Sequence, residues 1–523
     1  MKAFSIGYTG LRKVVFAYIG LPVFVFLAAY CQSIQAVLLG LVAVAAYICT
    51  LRSKQYRHEP QENNLSISWN ALLCIGAVCV LWCFFGGQGG FYYQSEDWLM
   101  RNAVYRDLVT RGWPVVYEEL DKALVYYISY WLPPALVGKL AMAVGFGPET
   151  AFTIGNIALW IWTALGVFLV NLLLCTVVKP RKLGGFLAVA VFTVLFSGMD
   201  IIGVIYKIVH RGQAFPTIHL EWWLDGLQFS SLTTCLFWVF NQATVPWLVT
   251  LCLFHERTPR NFVYLGVCCL ACGPIPFLGY LVYLLGAAAV MLVRSIRAKQ
   301  GKVFWSEVFT AQNLLFLFMI PAYLLYYITN SALSLGVEGA GAVQGVTIGF
   351  LTLKPITLGA LIRYGVFIMV EVGVFLLLVG RDNRKDPLYW LTWLTAFIAP
   401  FFTIGTAFDF VMRFSIPTVM VTAVLVLKYL FTHGHRLLLD AKPGKLRRRC
   451  VALCICLLLG AVTPATEFVR GYVTILQRGG VIAVCDWVHT LNQDLDGMDK
   501  NFVTFEYEQK PFFKYLVSKE NLK

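Results

Sequence analysis

The chain reads as a succession of apolar runs broken by short polar segments, and that pattern limits its fold more than any motif does. A helix needs about 20 apolar residues to cross a bilayer. Thirteen candidate spans can be read, some of them short: about 14–30, 35–50, 69–86, 152–178, 185–208, 232–254, 261–273, 275–293, 312–329, 355–380, 388–403, 414–432 and 450–464. Pro274 and Pro276 divide the region around "CGPIPFLG" into two short pieces. Backbone groups in lipid must be satisfied within their own segment, so each run is expected to be helical. The expected fold class is an all-α polytopic membrane protein. Its bundle of about 13 transmembrane helices occupies residues 1–464, and a small C-terminal segment, 465–523, follows.

Charge orients this bundle. Only 13% of the residues are charged, against about 25% in soluble domains, yet the net charge is +14. With the N-terminus in the cytoplasm, 25 of the 42 Lys and Arg residues fall on the inner side. The loop 87–150 then holds five basic residues against seven acidic ones. The positive-inside rule places this loop, the segments 209–231, 330–354 and 404–413, and the C-terminal segment outside. The basic balance is thus a matter of topology and implies no nucleic acid.

The N-terminal stretch lacks a small-x-small cleavage site and reads as an uncleaved first span. The single N-x-S/T triplet, Asn64-Leu65-Ser66, falls on the inner side, which fits a bacterial plasma membrane. All of the 15 cysteines except Cys31 and Cys485 lie inside apolar runs, where they act as small hydrophobes. "CCLAC" (268–272) has no second half and no nearby histidine, so neither a disulfide framework nor a metal site is expected. No internal repeat of the transporter kind is visible.

Three polar clusters converge on the outer face. The first is "YYQSEDWLMRN" (92–102), where Tyr93, Glu96 and Asp97 precede a stretch that reads as an amphipathic helix on the membrane surface. Asp97 can be an N-cap, an i,i+4 partner for Arg101, or a general base at the water boundary. The second cluster, 206–231, gathers His210, Arg211, His219, Glu221, Trp222, Trp223 and Asp225. Paired Trp residues anchor a membrane interface or stack on a sugar flanked by groups for hydroxyls and phosphate. The third is "GTAFDFVMRFSIP" (405–417), where Asp409 and Arg413 share a helix face. They form either a local ion pair or a grip in which Arg413 holds a phosphate and Asp409 orients it. Within the bilayer stand Asp200, Lys207, Arg363 and Glu371. Ionisable residues at that depth are functional by default.

"SEDWLMRNAVYRDLV…WPVVY", "YYISYWLPPALVGKL", "EWWLDGLQFSS…LFWVFNQATVPWL" and "DFVMRFSIP" resemble bacterial membrane proteins of the GT-C glycosyltransferase superfamily. The similarity runs along most of the chain. It implies transfer of a sugar from a polyprenyl-phosphate donor to a hydroxyl of a cell-envelope glycan, lipid or protein, outside the membrane. Asp97 takes the family's catalytic acidic position, with Glu96 as the second candidate. Arg211, Arg413 and His210 would hold the donor phosphate. His219, Glu221, Trp222, Trp223, Asp225, Asp409 and Tyr93 would line the sugar and acceptor sites. No metal ligands are assigned, and a divalent cation is the one cofactor left open. Two spans precede the loop beyond the family pattern, and no second acidic pair of metal-binding type follows in it. One base without a covalent intermediate implies inversion.

Two other readings stand beside this one. A transporter or a flippase for lipid-linked glycans would use Asp200 and Glu371. A polysaccharide polymerase or ligase would want an arginine-rich outer loop.

Overall fold

The computed structural model describes residues 3–51, 64–216, 218–224, 226–331, 349–350, 357–403, 409–434, 444–480, 488–493 and 498–518. Among these residues, nine helices are long and apolar enough to cross a membrane, and three shorter apolar helices accompany them. The architecture is helical and multi-pass. The two pieces expected around "CGPIPFLG" are there, as helices Phe262–Cys272 and Pro274–Arg297 meeting at Gly273.

Helix Leu232–Leu253 is the axis, with 94% of its apolar window buried. Pro148–Val178 and Ile416–His433 pack against it. The axis bends at Val239, whose backbone is not helical. Carbonyls freed near such a bend need other donors. Gln88 Nε2 donates to the carbonyl of Leu236 at 2.7 Å, and the Trp98 indole to that of Phe237 at 3.2 Å. The first large loop is therefore fastened to the central helix at its entry and at its first helical turn.

Three expectations are corrected. The stretch Trp98–Thr110 is a helix but does not lie on a surface: Trp98, Arg101, Ala103, Val104, Tyr105, Leu108 and Val109 are all buried. It is wedged between Leu132–Ala143 and Pro148–Val178, with Tyr105 Oη donating to the Gly155 carbonyl at 2.5 Å. The span read at 185–208 is one of these nine, Leu183–Arg211, but it is interrupted: Leu183–Leu195 and Asp200–Arg211 flank an extended C-cap at Phe196. The boundary placed at 464 falls inside a helix: after a bend at Ala461 the chain continues as Val462–Arg478.

The fold is also not wholly helical. Among the described residues three small antiparallel sheets occur, two of two strands and one of three. In the largest, Val116–Tyr117 pairs with Lys122–Leu124, which pairs in turn with Val503–Phe505 from the C-terminal segment. Asp107 reinforces this docking. Its buried carboxylate accepts from Tyr117 Oη at 2.6 Å, Thr490 Oγ1 at 2.7 Å and the Leu491 amide at 2.9 Å. Loop and tail therefore share one side of the membrane. Cysteines at exposed Glu119 and Glu508, in a background without Cys49, Cys74, Cys454 and Cys485, should react with an impermeant maleimide from the same side. Labelling from opposite sides would rule this arrangement out.

Candidate functional site

Two short helical segments, distant in sequence, carry the same device. Asp97 precedes helix Trp98–Thr110 but makes no cap bond. Instead its Oδ2 accepts from Arg101 Nη2 at 2.8 Å, so of its two local roles the ion pair is the one formed. Helix Asp409–Phe414 repeats the pattern one turn apart, with Arg413 donating to Asp409. In both pairs the cation is inside and the carboxylate at the rim. The side chains of Arg101 and Arg413 are 5% and 12% exposed, those of Asp97 and Asp409 51% and 43%. Gly279 places the second pair: a Cβ there would lie 2.1 Å from the Phe414 carbonyl oxygen, so without one Asp409–Phe414 can press onto Pro274–Arg297.

The two pairs are neighbours. Arg101 senses the charges of Arg413 and Asp409, and the Tyr126 phenol senses all four groups. Burial pulls the Arg101 guanidinium below its ordinary pKa, and Asp97 pushes back. Burial opposes the Arg413 charge too, but Asp409, Tyr126 and Tyr127 outweigh it and raise that pKa. Arg101 Nη1 and Arg413 Nε are buried with no hydrogen-bond partner among the described residues. An unmet buried donor on a charged group costs more than about 1–3 kcal/mol. Anionic oxygens are the partners that such guanidinium donors bind most strongly.

Beside the first pair opens a cavity of about 310 Å³, walled by Tyr93, Glu96, Trp98, Asn102 and Arg478 among others. The structure thus separates the two acidic neighbours of the sequence. Glu96 lines the cavity, while Asp97 turns to Arg101.

The second loop divides its residues between two depths. Trp222 is half-exposed and bonds Gln228 through its indole at 3.0 Å, whereas Trp223 is buried and donates to Glu371 Oε1 at 2.9 Å. His219 packs between Trp222 and Trp238, at 4.6 and 4.3 Å between ring centres, with Nδ1 3.5 Å from Glu467 Oε1. His219, Trp222 and Trp223 border a second cavity of about 270 Å³. His210 and Arg211 are exposed at the end of helix Asp200–Arg211, where His210 stacks on Tyr206. No hydrogen bond or ion pair joins either to the Arg101–Arg413 site among the described residues. Asp225 lies outside the described residues.

Glu221 does not face either cavity. It is buried and accepts from Gln228 Nε2 at 2.7 Å, Ser230 Oγ at 2.7 Å and the Ser231 amide at 2.8 Å. Burial, with the charge of Asp200 second, pushes its carboxyl up to about 7 from a usual 4.5. The unfolded chain would release this proton near the usual value, the folded chain near neutrality. Stability is then greatest below the lower value and falls by about 3 kcal/mol as pH rises through the interval between them. The melting temperature of the wild type should decline between pH 5 and 8, and Glu221→Gln should flatten that decline. Equal slopes in the two proteins would assign it to another group.

Arg101, Tyr126 and Tyr127 are the site residues that the sequence did not single out as ligand-binding. The signals were an arginine four residues after Asp97 and the aromatic run "YYISYW" (126–131). Among the described residues no group of three or more His, Cys, Asp or Glu side chains is arranged to hold a metal. No protein-family model matches the chain, and no curated protein and no solved structure is significantly similar to it.

Proposed function

We propose that this chain is a membrane glycosyltransferase that moves a sugar from a polyprenyl-phosphate donor to an acceptor hydroxyl on the extracytoplasmic side. The observation that carries the reading is the meeting of Asp97–Arg101 with Asp409–Arg413. Two buried guanidiniums, each with a donor unmet, lie behind two half-exposed carboxylates. The resemblance to the GT-C superfamily and the charge asymmetry of the loops support the same side and substrate class.

In this mechanism the donor phosphate sits against Arg101 and Arg413, and the acceptor enters by the cavity walled by Tyr93 and Glu96. The acceptor oxygen attacks the anomeric carbon and gives its proton to Asp97. The bond from that carbon to the phosphate oxygen breaks, and its electron pair leaves with the lipid phosphate. The two arginines stabilise the charge that gathers there, which is where electrostatic catalysis has its largest effect. Phosphate needs little protonation to leave, so a single carboxylate suffices. The sugar emerges inverted.

The test is incorporation. Purified protein would be incubated with labelled polyprenyl-phosphate sugars and extracts of cell-envelope acceptors. Transfer of label that depends on Asp97 supports the reading. Absence of transfer from every such donor, with a folded protein, would overturn it.

A further inference from the structure

Two carboxyl groups meet inside the bundle, each at an interruption of a membrane helix. Asp200 opens the half-helix Asp200–Arg211 after the break that follows Leu195. Glu371 sits on the π-helical turn Met369–Gly373, between Leu358–Ile368 and Val374–Asn383. Such turns and broken helices recur at functional sites in membrane proteins. Here the two interruptions are joined, since the Met199 amide donates to the Val370 carbonyl at 3.1 Å. Gly198 admits the Glu371 carboxyl, because a Cβ there would lie 2.1 Å from its Oε2.

The partners divide unevenly between the four carboxyl oxygens. Asp200 Oδ2 accepts from Ser197 Oγ at 3.2 Å and Thr463 Oγ1 at 2.8 Å, and Glu371 Oε1 accepts from the Trp223 indole. Asp200 Oδ1 and Glu371 Oε2 have no donor and are fully buried, while the two side chains lie within hydrogen-bonding reach of each other. Two facing carboxylates in a dry interior cannot both carry charge. A single proton between Oδ1 and Oε2 satisfies both. A divalent cation would need about six oxygen ligands, and the other side-chain groups bonded to this pair are donors.

We infer that Asp200 and Glu371 form an intramembrane site that binds one exchangeable proton. Its route to water is the second cavity: Trp223 both holds Glu371 and borders that space with His219 and Lys207. The elements packed against the pair carry charged groups of their own. Segment Leu220–Trp223 contributes Glu221, whose charge bears on both carboxyls. Helix Val462–Arg478 contributes Glu467, which is tied to His219 and Arg470. Asp200–Arg211 itself holds Lys207, bonded to the Trp222 carbonyl at 3.0 Å, and Leu358–Ile368 holds Arg363 two turns from Glu371. Lys445 and Arg447–Arg449 sit at the far end of Lys445–Gly460, at least about 16 Å along the helix from Gly460, which contacts Ser197. Among the described residues, therefore, no fixed cation stands against the pair to replace the proton. The site is independent of the transferase reading.

Infrared difference spectroscopy in lipid nanodiscs tests this directly. In a Glu221→Gln background, the carboxylic C=O stretch of one buried acid should be present at neutral pH and should shift in D₂O. Adding Asp200→Asn and Glu371→Gln together should remove it. If that variant fails to fold, either single change should displace the band, because an amide then faces the remaining acid. Absence of the band from the Glu221→Gln protein, failure to shift in D₂O, or an unmoved band in the Asp200 and Glu371 variants would each overturn the inference.

Discussion

Asp97→Asn should lower turnover by about 10²–10⁴-fold, the usual loss when a general base is removed, while donor binding persists. The substitution is close to isosteric. The amide oxygen can still accept from Arg101, so the ion pair becomes a neutral hydrogen bond and the helix Trp98–Thr110 keeps its anchors at Phe237, Phe240 and Gly155. What is lost is the capacity to take a proton. Glu96→Gln should do much less to turnover and should act on acceptor KM, because Glu96 lines the cavity while Asp97 holds Arg101. If Asp97→Asn turns over normally and Glu96→Gln does not, the base is Glu96 and Asp97 is a positioning residue for Arg101.

Arg413→Lys and Arg101→Lys should each weaken donor binding by about 10–150-fold, the equivalent of one hydrogen bond to a charged group at roughly 1.5–3 kcal/mol. Lysine keeps the charge but cannot present the planar fork that grips two phosphate oxygens. If both side chains hold one phosphate, as proposed, the two substitutions should be less than additive in a double-mutant cycle. Free phosphate or a short-chain prenyl phosphate, titrated against each variant, reads the loss without turnover. Unchanged affinity in both single variants would leave the arginines as structural partners of Asp97 and Asp409. Fully additive losses would mean that they bind different groups.

The helical, multi-pass character was legible because a 20-residue apolar run has few other uses, and the break at Gly273 because proline cannot donate within a helix. The break before Asp200 was not. "FSGMD" (196–200) has no proline and stays apolar enough to read as a continuing span, and the interruption depends on Glu371 in another helix. The helix Trp98–Thr110 was misplaced for a related reason. Its two arginines and the Arg111 that caps it suggested water, yet Arg101 is buried against Asp97, Arg106 reaches the Val488 carbonyl and Arg111 leans on Asp107 and Tyr117. Periodicity reports how much charge a face carries, not whether partners from elsewhere will cover it. The short strands escaped notice because two or three residues leave no alternation to detect. In the site, each i,i+4 pair could be read locally, but their meeting could not. It depends on the bend at Val239 and on the close approach at Gly279, both properties of packing.

The docking of Thr490 and Val503–Phe505 onto the first loop also sets a clock for assembly. Asp107 and Thr490 are 383 residues apart, so at ribosomal speeds of about 5–20 residues per second the loop waits roughly 20–80 s for the strand that completes it. During that interval Lys122–Leu124 presents an unpaired edge and Asp107 a buried carboxylate without its tail partners. A nascent chain halted before residue 490 would carry every candidate catalytic side chain yet hold the loop unfinished. The segment that carries Thr490 and Val503–Phe505 is thus what commits the first loop to its shape, and a chaperone or protease that samples the loop would be reading whether translation had passed that segment.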